Sequence, residues 1–151
     1  MGKSESALEL ISKGHLFISD DVVQIHKDTE GNLTGLAVPL SRNFMEIRGL
    51  GIINIAKIFG KKSIRLESKI ELVIMLKKWK EGKAYDRLGL KFPETQKILG
   101  VSVPKISIPV APGRNISTLI EVACKVFLLK EEGYFAVQEI SEKLERALSR
   151  R

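Results

Sequence analysis

The spacing of apolar residues changes repeatedly along this chain, and that change excludes a uniform all-helical or all-strand fold. Residues 4–13 set Ala7, Leu8 and Ile11 on one face of a helix, with Gly14 where it would stop. "HLFI" reads as a short buried strand ending at Ser19-Asp20-Asp21. "VVQIH" and "LTGLAV" flank the turn-rich "KDTEGN", which predicts a β-hairpin. Residues 45–60 predict a Gly-punctuated loop running into a short helix, and 79–100 look irregular. "IELVIML" (70–76) is near-continuous, as expected for a strand covered on both faces. "VSVPKISIPV" alternates, but Pro104 and Pro109 predict an edge strand or a loop approach. Helical spacing then returns. Asn115 to about Lys130 buries Ile116, Leu119, Ile120, Ala123 and Phe127; Gly133 breaks it; a last helix carries Val137, Ile140, Leu144 and Leu148 toward the core. The reading is a mixed α/β domain with a helical end.

A chain of 151 residues fits one domain, 1–151, with one core. No apolar run is long enough to cross a bilayer and no signal peptide is visible, so a cytoplasmic location is expected, without a membrane partner. Cys124 is the single cysteine; "IEVACKVFLL" makes it a small core residue, the competing reading being a reactive thiol. The formal charge of +7 suits phosphates, nucleic acid or an acidic protein, or simply a solvated surface. The basic residues fall in separate segments with no interleaved aromatics, which argues against nucleic acid. His15 and His26 lack partners at metal spacing, so zinc is not expected.

Gly2-Lys3-Ser4, entering a helical pattern, is the second half of the phosphate-binding signature G-x-x-x-x-G-K-[ST], or else a chance tripeptide. Phosphoryl transfer needs a lysine against phosphate charge, a hydroxyl or carboxylate on Mg²⁺, and a carboxylate to take a proton. Lys3 and Ser4 supply the first two, and a helix start adds its positive end. Asp20-Asp21 offers carboxylates at a strand end, the bland alternative being a solvated turn or cap. "EIRGLGIIN" puts Glu46, Arg48 and two glycines together, either to approach a phosphate or as a tight turn with a surface ion pair. "PVAPGRN" projects Arg114 from a loop before a helix start.

In order, "GKSESALELISKGH", "ISDD", "EIRGLGII", "YDRLG" and "VPKISIPVAPGRNISTLIEVA" resemble the catalytic domain of HPr kinase/phosphorylase over essentially the whole chain. The resemblance implies a P-loop-containing α/β kinase domain with a mixed sheet and C-terminal helices. It implies phosphorylation of a serine on the phosphocarrier protein HPr, and phosphorolytic removal of that phosphate, in the control of bacterial carbon metabolism. ATP and Mg²⁺ would be the cofactors. HPr and inorganic phosphate or pyrophosphate would be the partners, and the chain would form a homo-oligomer, a hexamer in intact relatives.

By the same resemblance Lys3 is the P-loop lysine, with Gly2 and Ser4 completing the nucleotide contact. Ser4 and Glu46 are metal ligands, Asp21 the base that takes the serine proton, and Arg87 a catalytic arginine. Met45, Glu46, Ile47, Arg48, Gly49, Leu50, Gly51, Ile52, Ile53 and Asn54 form a segment serving both reactions. Pro109, Val110, Ala111, Pro112, Gly113 and Arg114 form the dephosphorylation loop. One carboxylate can serve both directions, because the kinase removes a proton from serine and the phosphorylase returns it. Against the family pattern, the first P-loop glycine and its strand are missing. Asn54 stands where relatives often carry Asp, and Ala111 and Pro112 depart from the residues common in that loop. The expectation is therefore a chain truncated inside the P-loop. The alternative function is an inactive fragment that acts only as a binding or oligomerisation module.

Overall fold

A computed structural model describes residues 2–80 and 93–150. Helix α1 (Lys3–Ser12) starts at Gly2, whose φ of 67° is the left-handed conformation glycine tolerates. Strands β1 (Val23–Lys27) and β2 (Leu33–Ala37) form the expected hairpin, antiparallel from Val23↔Ala37 to Lys27↔Leu33. Its turn is built by Asp28, whose carboxylate accepts from the Glu30 and Asn32 amides, both at 2.9 Å. β5 (Glu67–Lys69) adds to β2, completing one sheet in the order β1-β2-β5.

β3 (Phe44–Ile47) and β4 (Gly51–Asn54) form a second hairpin where the sequence predicts a loop. Alternation explains it: Met45 and Ile47 turn inward while Phe44 and Glu46 face out. Gly49 and Gly51, at φ 91° and 86°, turn the chain between them. The expected short helix follows as α2 (Ile55–Phe59), capped by the Asn54 side chain, which accepts from the Lys57 amide at 3.1 Å.

The third sheet has the order β6-β8-β7, from β6 (Val73–Lys78), β7 (Glu94–Ile98) and β8 (Val101–Val110). Two expectations exchange places here. "IELVIML" is not one doubly covered strand: the Ile70 amide still bonds Leu33 O (2.9 Å) in the first sheet, and from Val73 the chain is an edge strand of the third. The proline-bearing β8 is the central strand instead. Successive strand residues turn their N–H and C=O groups to opposite neighbours. Val110, whose carbonyl accepts from Trp79 N at 2.9 Å, faces the β6 side, and so does Pro104. The β6 ladder starts only at Val73 opposite Lys105, so Pro104 lacks no partner there. Pro109 faces the other side, where the β7 ladder has already ended at Glu94 opposite Lys105. Among the described residues, both prolines thus sit where no neighbouring strand asks for an N–H. β7 itself lies in the segment expected to be irregular, and joins β8 through Leu99 and Gly100, both at positive φ.

Nor is "HLFI" a strand. Phe17 makes one isolated parallel bridge to Ile64 and is buried, while Leu16 is exposed. Helix α3 (Ile116–Glu131) matches expectation, with Asn115 capping its start by accepting from the Thr118 amide at 3.2 Å. Helix α4 (Ala136–Ser149) does not bury its apolar face: Ile140, Leu144 and Leu148 are 67%, 59% and 55% exposed.

Two cores result. Ile11, Phe17, Met45, Ile47 and Ile55 form one, with Ala7, Leu8, Ile53 and Ile64 packed around it. Ile106, Ile108 and Phe127 form the other, with Leu119, Ile120 and Ala123 of α3. α1 stands between them, packed on β3 by one face and on α3 by another. No helix among the described residues is long and apolar enough to cross a membrane.

Candidate functional site

Carboxylates gather around the start of α1. Lys3 Nζ lies 2.7 Å from Asp21 Oδ1, an exposed charge-assisted hydrogen bond between residues 18 apart in sequence. Beside it, Asp20 Oδ2 accepts from the Glu46 backbone amide at 3.1 Å. That bond ties the segment after Phe17 to strand β3 and sets Glu46, outward on its strand, next to the aspartates. Ser19, whose hydroxyl donates to Val22 O, closes the intervening turn. Asp20, Asp21 and Glu46 share the wall of a shallow pocket of about 210 Å³, whose other side is Val22, Phe44 and Ile52. Lys3, Asp21 and Glu46, from three separate stretches of sequence, therefore meet at one place.

The α1 N-terminus has the local form of an anion site. No side chain caps it, and Gly2 O takes the Ser6 amide (3.0 Å), leaving the amides before Ser6 pointing outward. Ser4 sits in that first turn. Among the described residues no three His, Cys, Asp or Glu side chains form a metal-holding group. Mg²⁺ does not need one, since it keeps waters and binds one or two carboxylates together with substrate phosphates. The uncapped turn and adjacent carboxylates fit a nucleotide phosphate with its Mg²⁺.

Of the 45–54 segment, Met45, Glu46 and Ile52 line the pocket. Met45, 1% exposed, forms its floor, and Ile47 is buried in the same core. Arg48, Gly49 and Leu50 form the exposed hairpin turn, and Gly51 opens β4. Asn54 is spent on capping α2.

The Pro109–Arg114 loop makes its contacts elsewhere. Arg114 Nη1 donates to Pro109 O at 2.9 Å, using the carbonyl that β7 leaves free, and its Cζ lies 5.2 Å from the centroid of the Trp79 ring. Trp79 under Arg114 carries no sequence signal; only the pairing of β6 with β8 puts it there. The Asp20 bond to β3 was likewise beyond reach of spacing, although the aspartate pair itself was readable. Arg87 lies outside the described residues.

A further cluster links the other end of α1 to α3. Lys13 Nζ contacts Ser117 Oγ at 3.3 Å and pairs with Glu9 and Glu121 at 3.6 and 3.7 Å, while His15 Nε2 stands 3.4 Å from Glu121 Oε1. Burial and the nearby Glu121 charge push the Cys124 thiol up, which suits a packing residue rather than a nucleophile.

The family model for the HPr serine kinase C-terminal domain matches residues 1–144. The chain is 47% identical over 144 residues to the HPr kinase/phosphorylase of Bacillus licheniformis, covering 95% of this chain and 46% of that protein. It is 43% identical over 150 residues to that of Caldicellulosiruptor bescii, covering 99% and 48%. The chain thus spans about half the length of the curated relatives it matches. A solved structure of the Hpr(Ser) kinase/phosphatase from Coxiella burnetii superposes with a TM-score of 0.81 at 36% identity, over 89% of this chain and 81% of that one.

Proposed function

This chain belongs to the HPr serine kinase C-terminal domain family, and from that premise we propose that it carries the phosphoryl-transfer site of an ATP- and Mg²⁺-dependent serine kinase that also works in reverse. The fold is that of a P-loop kinase, mixed α/β with C-terminal helices. The substrate is the phosphocarrier HPr, as the names of the relatives suggest.

The observation that carries the reading is the 2.7 Å contact of Lys3 with Asp21 at an uncapped helix start, with Glu46 held alongside. Lys3 is the resting counter-ion of Asp21. A phosphate arriving at the first turn of α1 competes for that ammonium and frees the carboxylate. Asp21 then accepts the serine hydroxyl proton as the serine oxygen bonds to the γ-phosphorus of ATP, the bond from that phosphorus to the ADP oxygen breaks, and ADP leaves. Glu46 and Ser4 would hold Mg²⁺, whose chemistry is to neutralise charge on the phosphate oxygens. In reverse, an oxygen of inorganic phosphate forms the new bond to phosphorus and the bond to the serine oxygen breaks. Asp21 returns the proton to serine, and pyrophosphate leaves. Arg114 holds the inorganic phosphate for this direction.

Two assays test it: labelled γ-phosphate transfer to HPr, and phosphate-dependent release from phosphoserine-HPr. Asp21→Asn is expected to lower both at least 100-fold, in line with loss of general acid–base catalysis. Asp21→Asn retaining either activity within tenfold of wild type sinks the assignment.

A further inference from the structure

The stretch between Glu46 and Glu67 contains Arg48, Lys57, Lys61, Lys62 and Arg65 and no carboxylate. Three of those cations stand on one corner of the fold. Ile55, fully buried, and Ser63 are its two feet, and every residue from 57 to 62 between them is exposed. The corner is held rigidly. Gly60, at φ 92° and ψ 161°, makes a bend that a side chain would strain, and its amide donates to Ala56 O at 2.9 Å. Its carbonyl accepts from the Ser63 hydroxyl at 2.6 Å, while Phe17 N donates to Ser63 O at 2.7 Å. Among the described residues Lys57, Lys61 and Lys62 make no ion pair. Beside them Ile58 is 58% exposed and Phe59 37%.

We infer that this corner seats the protein on the surface of an anionic lipid bilayer. Protruding lysines beside apolar tips suit that surface: the ammonium groups meet the headgroups while Ile58 and Phe59 enter the interface. The composition disfavours the other two polyanions. Protein interfaces are depleted in lysine and enriched in arginine and aromatic residues. Nucleic-acid strands need stacking surfaces, and Phe59 is the one aromatic ring of the corner. Helix α4 exposes a longer apolar face, but its Lys143 and Arg146 pair with Glu139 and Glu142 at 3.5 and 3.8 Å, so it offers no excess of cations. A preformed corner also loses little freedom on docking. That no helix among the described residues is long and apolar enough to cross a bilayer sets no limit on a contact that only lies against one.

Co-sedimentation with vesicles tests it. One set holds equal parts of phosphatidylglycerol and phosphatidylcholine, the other phosphatidylcholine alone. The chain is expected to partition onto the first set and not the second, with binding that weakens as salt is raised. Lys57→Gln with Lys61→Gln and Lys62→Gln, at unchanged circular dichroism, is expected to bind about 100-fold more weakly, near fivefold per lysine. Lys69→Gln with Lys97→Gln and Lys125→Gln removes the same charge elsewhere and should bind within about threefold of wild type, since screening confines the attraction to nearby groups. No partition onto the anionic vesicles overturns the inference. Equal loss in the two triple variants overturns it too, because net charge alone would then explain the binding. Ile58→Ser binding the anionic vesicles as tightly as wild type, or wild type binding polyglutamate or single-stranded DNA more tightly than the vesicles, assigns the corner to another polyanion and overturns it as well.

Discussion

At the residue scale, small polar side chains decide where the elements begin. Asn115 accepts from the Thr118 amide and receives the Ser117 hydroxyl, so it both starts α3 and fixes the end of the arginine loop. Asn115→Ala is expected to cost about 1 kcal/mol of stability, the usual worth of such a cap, measurable by urea denaturation. Asp28 makes a prediction in pH. Hydrogen bonds from the Asn32 backbone, and more weakly from the Glu30 and Gly31 backbone and the Asn32 side chain, hold its carboxyl below the ordinary aspartate range. A carboxyl depressed in the folded state adds stability above its unfolded pKa, and that gain is lost as pH falls through the folded value. The difference in denaturation midpoint between wild type and Asp28→Asn should therefore be largest near about pH 6 and close by about pH 2. A difference that persists unchanged in acid would contradict this account. Motif order singles out Lys3, Ser4, Asp21 and Glu46 as candidates. What the residues could not disclose is which partner each would find: spacing gives no hint that Asp20 grips the Glu46 amide or that Arg114 lies over Trp79.

At the scale of elements, periodicity read the helices and the first hairpin well, and misread the strands wherever one neighbour decided the outcome. Prolines 104 and 109 exclude β8 from the centre of a sheet only if both its sides are paired along its whole length. They are not, because β6 and β7 overlap on β8 just at Lys105. "EIRGLGII" looked like a loop because its glycines dominate, yet they only turn the hairpin while Met45 and Ile47 bury alternately. Met45→Ala should cost about 2–5 kcal/mol, as a fully buried side chain does when truncated, checked by thermal unfolding. The helix α4 pattern was equally legible, but amphipathicity states that a face wants cover, not that the same chain provides it. Ile140→Glu with Leu144→Glu is expected to change monomer stability by less than about 0.5 kcal/mol per site, as surface substitutions do. A large loss would mean that α4 packs inward.

For the whole molecule, family likeness and the observed elements agree on the fold. The relation of one end of α1 to the other is a tertiary fact. No motif carries it, because Lys13 directly follows the short helix that Lys3 begins, and its contacts with Ser117 and Glu121 hold that end against α3. The three small sheets of the described residues, each containing a hairpin, also set how this chain reaches its native state. β1 with β2, β3 with β4, and β7 with β8 pair residues close in sequence, so they can assemble early and independently. The β2–β5 pairing, the Phe17–Ile64 bridge, the parallel β6–β8 ladder and the seating of α1 between the two cores demand more distant closure. The slow step of refolding should accordingly be felt by substitutions at the α1–α3 junction, with Lys13→Met slowing the return from urea more than Asp28→Asn does.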